Sequence, residues 1–199
     1  GYTNANLVDA IFEAVSGITT TGSTVFNELD KMPKGLLLWR GILQWLGGIG
    51  IIVVAMVFLP ELRVGGMQIF RAEGFDTLGK ILPRATTIAF QISIIYVGIT
   101  VACGLAYVLA GMSFFDAVVH SFTTVATGGF SNYDGSFSVF SWQVEYVAIL
   151  FMILSALPFV RYVQLINGQG TAVFKDPQVK TFIFLICSLV VLSTLVLSL

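Results

Sequence analysis

Charge is what this 199-residue sequence has least of: 11 acidic and 10 basic side chains, 11% of the chain, with one histidine. A soluble domain carries roughly 25% charged residues, so an ordinary water-soluble fold is excluded. The formal net charge is −1 and no basic stripe is present, so nucleic acid would find nothing to bind. Only two cysteines occur, Cys103 and Cys187, each inside an apolar run. They read as small hydrophobes rather than as a disulfide or a metal pair. No basic n-region, short apolar stretch and cleavage site open the sequence, so no signal peptide is visible. Acids and nucleophiles are too scattered for an enzyme. Ser121 and His120 are adjacent and would diverge on a helix, and Glu145 has no partner acid in the apolar spans.

What is abundant is apolar, at 56% of the chain. Four stretches, roughly Leu36 to Pro60, Ile88 to Met112, Phe137 to Val160 and Thr181 to Leu199, reach the ~20 residues a bilayer crossing needs. Arg40 lies near the start of the first, where its side chain is expected to snorkel to the interface. Trp39, Trp45, Trp142 and Tyr146 suit interfacial or near-interfacial positions. Arg63, Arg71, Lys80 and Arg84 fall in the link from Glu61 to Thr87, and Arg161, Lys175 and Lys180 in the link from Arg161 to Lys180. Met112 to Ser136 contains no Lys or Arg. The first two links are therefore expected on the cytoplasmic side and the last outside. Lys31 and Lys34 fall outside too, accompanied by Glu28 and Asp30. Met67, Ile69, Phe70, Phe75 and Leu78 lie among charges in Val64 to Pro83. That pattern reads either as an amphipathic surface helix or as a plain connector.

Two stretches match without a gap at an offset of 107 residues (116 − 9, from Asp9 to Asp116). One runs from Asn6 to Gly22 and the other from Ser113 to Gly129. Asp9 aligns with Asp116, Ala10 with Ala117, Thr20 with Thr127 and Gly22 with Gly129. A period near 100 residues is too long for a solenoid and fits the internal duplication of membrane transport proteins. Each copy opens on a capping motif, Asn6-x-x-Asp9 and Ser113-x-x-Asp116. The apolar helix that follows lasts about 12 residues, or ~18 Å, too short to span a bilayer. It then meets a Thr- and Gly-rich segment. Irregular backbone at membrane depth is tolerated where protein buries it or water lines it. A re-entrant hairpin with carbonyls turned toward a cation supplies that setting. The competing reading is an interfacial helix with an ordinary glycine turn, which two matched copies disfavour.

At Phe12-Glu-Ala-Val-Ser-Gly-Ile-Thr-Thr-Thr-Gly-Ser-Thr24 and Phe115-Asp-Ala-Val-Val-His-Ser-Phe-Thr-Thr-Val-Ala-Thr-Gly-Gly-Phe-Ser131 the sequence resembles the Trk/Ktr/HKT superfamily of potassium transporters, most closely its bacterial TrkH branch. Trp39-Arg-Gly-Ile-Leu-Gln-Trp-Leu-Gly-Gly-Ile-Gly50 reads as the helix after the second filter loop. The resemblance covers essentially the whole chain. It implies an all-α membrane protein of repeated outer helix–pore loop–inner helix units around one potassium pore, incomplete in this chain.

Residues 1–60 would end repeat two, 61–87 form a cytoplasmic link, 88–167 make repeat three, and 168–199 carry a link and the first helix of repeat four. On this reading the chain is expected to be a piece of a protein over twice as long. Filter carbonyls would come from Thr19, Thr20, Thr21 and Gly22, and from Ala126, Thr127, Gly128 and Gly129. Gly128 is an extra glycine where the first copy has Thr21, which leaves open which carbonyls of that loop hold the ion. A gate would lie at Ser155, Ala156, Leu157 and Pro158, with Arg161 just beyond, although Pro158 reads equally as a passive kink.

The resemblance also implies potassium as transported ion with no cofactor, residence in the bacterial inner membrane, a homodimer, and a cytosolic nucleotide-binding ring of the TrkA type. Sodium or mixed monovalent cation transport is the alternative within the same architecture. Gly47, Gly48 and Gly50 sit inside an apolar span and read as close helix packing rather than a nucleotide loop. Glu13 and His120 occupy matching positions and read as hydrogen-bonded structural groups, with no second ligand for a metal or proton relay.

Overall fold

A computed structural model describes residues 6–58, 85–168 and 171–198. The link bearing Arg63, Phe70, Arg71, Lys80 and Arg84 lies outside them. Among the described residues every regular element is helical. Contacts divide the chain into two compact units, Gly1–Ala156 and Leu157–Leu199, each described here by itself.

The first unit holds two short helices, α1 (Leu7–Ile18) and α4 (Phe114–Val125), and three longer ones, α2 (Lys34–Phe58), α3 (Ala85–Leu109) and α5 (Trp142–Ala156). The short pair are 12 residues each, as the repeat predicts. At Asn6 the side chain accepts from Asp9 N–H and the Asp9 carboxylate accepts from Asn6 N–H, both at 2.9 Å. This is a complete capping box. Ser113 Oγ likewise accepts from Asp116 N–H, but donates to the Asp116 carboxylate at 2.7 Å. The second carboxylate is drawn elsewhere, by Asn132 and Tyr133.

Helix α2 is the centrepiece, packing on α1, α3 and α4. Trp45, expected near an interface, instead packs between Tyr96 and Phe122 with ring centroids 5.6 and 5.4 Å away. Its indole N–H donates to Thr100 Oγ1 at 3.0 Å. Glycines let α2 approach its neighbours. A Cβ at Gly47 would fall 2.1 Å from Ile18 O, and one at Gly48 within 3.1 Å of Ala126.

The third expected span differs in its limits. Phe137 belongs to a short 3₁₀ turn, Ser136–Val139, and α5 starts only at Trp142. Phe137 and Phe140 set their edges against the His120 ring, at centroid distances of 5.4 and 5.3 Å, and that packing holds the chain out of helix. At its other end α5 stops at Ala156.

The second unit holds α6 (Phe159–Ile166), α7 (Ala172–Lys175) and α8 (Pro177–Leu197). Its small core gathers Leu157, Val173 and Val179 with Tyr162 and Phe182. Asp176 caps α8, accepting from Gln178 N–H at 2.7 Å, with Pro177 preset as its first residue.

Candidate functional site: two matched loops at the ends of short helices

Both short helices end the same way. Thr21 N–H bonds Ser16 O and Thr20 N–H bonds Gly17 O, each at 3.0 Å; Gly128 N–H bonds Thr123 O and Thr127 N–H bonds Thr124 O, each at 2.9 Å. These crossed bonds make a Schellman closure, whose key residue is left-handed and usually glycine. Here that residue is threonine, with φ 56° at Thr20 and 53° at Thr127. A β-branched side chain in that region is an outlier and costs about 1–3 kcal/mol. Two residues on, Gly22 (φ 78°) and Gly129 (φ 76°) are left-handed again. Thr21 and Gly128 between them are not. The same strained alternation thus occurs twice, 107 residues apart (127 − 20). Among the described residues, no hydrogen bond reaches the carbonyls of Thr19, Thr20, Thr21 and Gly22, or of Ala126, Thr127, Gly128 and Gly129.

The loops are braced from behind. In the first, Ser16 Oγ donates to Ser23 O at 2.6 Å, and the Thr19 and Thr21 hydroxyls pair at 2.8 Å. Glu13 accepts from Thr24 Oγ1 at 2.9 Å and from Val25 N–H at 3.1 Å. Arg40 was expected to snorkel; instead it is 2% exposed. Its Nε donates to Glu13 at 2.7 Å, and a second guanidinium nitrogen donates to Ser131 O of the other loop at 3.0 Å. The third reaches Thr24 Oγ1 at 3.3 Å, and the guanidinium lies over the Phe130 ring at 4.2 Å. The buried Glu13 carboxylate holds it inside the protein. From the next turn of α2, Gln44 accepts Phe130 N–H at 3.1 Å.

In the second loop, His120 is fully buried. Nδ1 lies 2.9 Å from the Asp116 carbonyl, which can only accept, so Nδ1 carries the proton. Nε2 then accepts from Ser131 Oγ at 3.2 Å, and Tyr133 N–H donates to that hydroxyl at 3.1 Å. Burial disfavours the imidazolium and lowers the His120 pKa. Burial pushes Asp116 up, but hydrogen bonds from Ser113, Asn132 and Tyr133 outweigh it and hold the carboxyl below its ordinary 3.8. Glu13 and His120 are therefore bonded braces, as their matching positions predicted.

The loops also touch each other. A Cβ at Gly22 would fall 1.7 Å from Gly128 O, and one at Gly128 would fall 2.5 Å from the Gln44 side chain. The extra glycine at 128 thus has a packing reason. A cavity of about 490 Å³ borders both left-handed glycines, with Thr24, Asn27, Ser131 and Asp134 among its lining residues.

The residues assigned to a gate are placed locally. Ser155 and Ala156 end α5; Leu157 and Pro158 interrupt the helix, with Pro158 at φ −59°, ψ 114°, and α6 resumes at Phe159. Arg161 is ion-paired with Asp176 and donates to Gln164 Oε1 at 2.8 Å. Sequence reasoning missed Gln44, and missed Arg40 as a loop brace. An arginine inside an apolar run was the available signal for the latter; nothing local marks the former. Both cysteines are free thiols.

Comparison with known proteins fits this geometry. A family model described as "TrkH: Cation transport protein" matches residues 2–199. The chain is 45% identical over 197 residues to the Trk system potassium uptake protein TrkI of Halomonas elongata, covering 98% of this chain and 40% of that protein. It is 44% identical over 198 residues to the Trk system potassium uptake protein TrkH of Escherichia coli, covering 98% and 41%. The crystal structure of the potassium transporter TrkH from Vibrio parahaemolyticus superposes with a TM-score of 0.77 at 38% identity, over 96% of this chain and 40% of that one. The chain thus spans about 40% of the length of the curated relatives it matches.

Proposed function

The chain belongs to the TrkH family of cation transport proteins, and from that premise we propose that it supplies two carbonyl-lined filter loops of a potassium uptake pore. The observation that carries this reading is the pair of matched loops whose eight carbonyls accept no hydrogen bond among the described residues. In an extended strand successive carbonyls point to opposite sides. A left-handed residue at every second position cancels that alternation and brings them to one side. Such a row replaces an ion's hydration shell, and the partial negative charge at the ends of α1 and α4 favours a cation. The Schellman closures use up the carbonyls of Ser16, Gly17, Thr123 and Thr124, so those beginning at Thr19 and Ala126 face the ion. No bond of the substrate changes, in keeping with a family of transporters rather than enzymes.

The remaining repeats of the full protein would close the ring, in the bacterial inner membrane. The break at Leu157–Pro158 would serve as a gate, with Arg161 positioned by Asp176. A homodimer with a cytosolic nucleotide-binding ring, docked on residues 61–87, would complete the system. The direct test is potassium and sodium flux through the full-length protein carrying Gly129→Ser. A Cβ there meets nothing within 4 Å among the described residues, so within this chain the change acts through the left-handed backbone. Loss of potassium-over-sodium selectivity is expected. Unchanged uptake and selectivity would sink the filter assignment.

A further inference from the structure

Filter loops of one ring must keep a fixed separation, because selectivity depends on the spacing of carbonyls contributed by different repeats. Hydrogen bonds within one loop cannot set that spacing. In this chain the Arg40 side chain spans the gap. Arg40 bonds the Glu13 carboxylate and Thr24 hydroxyl, which belong to the first loop and its helix, and the Ser131 carbonyl of the second loop. Residues 40 and 131 are 91 positions apart in sequence, so this tie is tertiary.

We propose that Arg40, oriented by Glu13, is a positioning residue for selectivity: a rigid strut that sets the distance between the two filter loops. The proposal rests on the filter reading given above and assigns a residue outside the ion path to its regulation. A guanidinium is a planar fork whose donors leave in fixed directions. Bonded on two sides and stacked on Phe130, it transmits a displacement of one loop to the other. Glu13 has a second duty, since it also receives Thr24 Oγ1 and Val25 N–H. The acid therefore locks its own loop and the fork together. Charge neutralisation alone needs only a cation near Glu13. A strut needs the fork. Both groups are almost fully buried, with Arg40 2% and Glu13 3% exposed, so water offers no substitute partner.

Arg40→Lys separates the two roles. Lysine keeps the charge beside Glu13 but is a single donor point on a flexible stem, and cannot hold Glu13, Thr24 and Ser131 O together. Flux of potassium and sodium would be measured in vesicles containing the full-length protein, with membrane abundance quantified and Gly129→Ser run alongside. At wild-type abundance, Arg40→Lys is expected to lower potassium-over-sodium selectivity about tenfold. If it accumulates poorly, Thr24→Val replaces it. That change removes one of the fork's partners without charge, and a loss of about threefold is expected. Selectivity unchanged within about twofold in the variant that accumulates overturns the strut. If Gly129→Ser alters selectivity in that experiment, only the strut has failed. If Gly129→Ser is also silent, the filter reading itself has failed.

Discussion

Gly22 and Gly129 occupy the same place in the repeat and share the same left-handed backbone, yet serine at the two positions should have very different consequences. At Gly129 an added Cβ meets nothing within 4 Å among the described residues, and within this chain the cost is conformational. Holding an L-residue left-handed costs about 1–2 kcal/mol, a change of roughly tenfold in any equilibrium it opposes. At Gly22 the same cost applies, and the Cβ also falls 1.7 Å from the Gly128 carbonyl oxygen. Opening that contact to 3.0 Å requires a shift of 1.3 Å (3.0 − 1.7). The obstacle is backbone, so no rotamer change relieves it. Functional sites tolerate displacements of about 0.5 Å, and this one moves the Gly128 carbonyl more than twice as far. Gly129→Ser is therefore expected to retain measurable potassium flux with selectivity reduced about tenfold. Gly22→Ser should abolish selective flux altogether. The assay is rubidium or potassium uptake into vesicles, with sodium as competitor and the amount of protein in the membrane held equal. Equal damage from the two substitutions, or the reverse order, would refute the reasoning from close approach.

Asp116 has a pKa held below 3.8 in the folded state, so its contribution is present above that unfolded value and lost as pH falls through the depressed one. The difference in melting temperature between wild type and Asp116→Asn should stay constant from neutral pH down to about 5 and narrow below about 4. A difference that already narrows near neutral pH would count against it. Pro158→Ala restores a backbone N–H and removes a helix-breaking cost of about 3 kcal/mol, favouring a continuous helix through 157–158. If the break obstructs the pore, flux should rise in the absence of activating partners; unchanged flux would mark a passive kink. Replacing Phe70 and Arg71 should weaken binding of the cytosolic ring, measured by co-purification, and unaltered binding would discard that docking face.

Much of the local architecture is legible in the residues themselves. A cap at Asn6 or Ser113, an acid three residues on, and a Thr-Gly run after about 12 residues identify a short helix that cannot cross a membrane. Those signals act over one or two turns, and the structure reproduces both helix limits. Arg40 shows where such reading stops. An arginine in an apolar run has two ways to avoid hydrocarbon, the interface or a buried acid, and its neighbours in sequence do not reveal that Glu13 lies beside it. The same holds for Gln44, whose partner Phe130 is 86 residues away. Phe137 read as part of a span because it is apolar, but its ring is used to pack on His120.

Sequence alone determined that this chain holds two matched units, each a capped short helix running into a Thr- and Gly-rich loop, because capping, helix length and glycine placement are short-range constraints written in each copy. It did not determine which carbonyls of the second loop would hold an ion, since Gly128 stands where the first copy has Thr21. Tertiary structure alone decided how the copies meet: Gly22 is pressed against Gly128 O, and Arg40 and Gln44 reach from one helix to the second loop. The reason is physical. Backbone handedness is settled by a residue and its neighbours, whereas the distance between two loops is settled by side chains that meet only after the helices have packed.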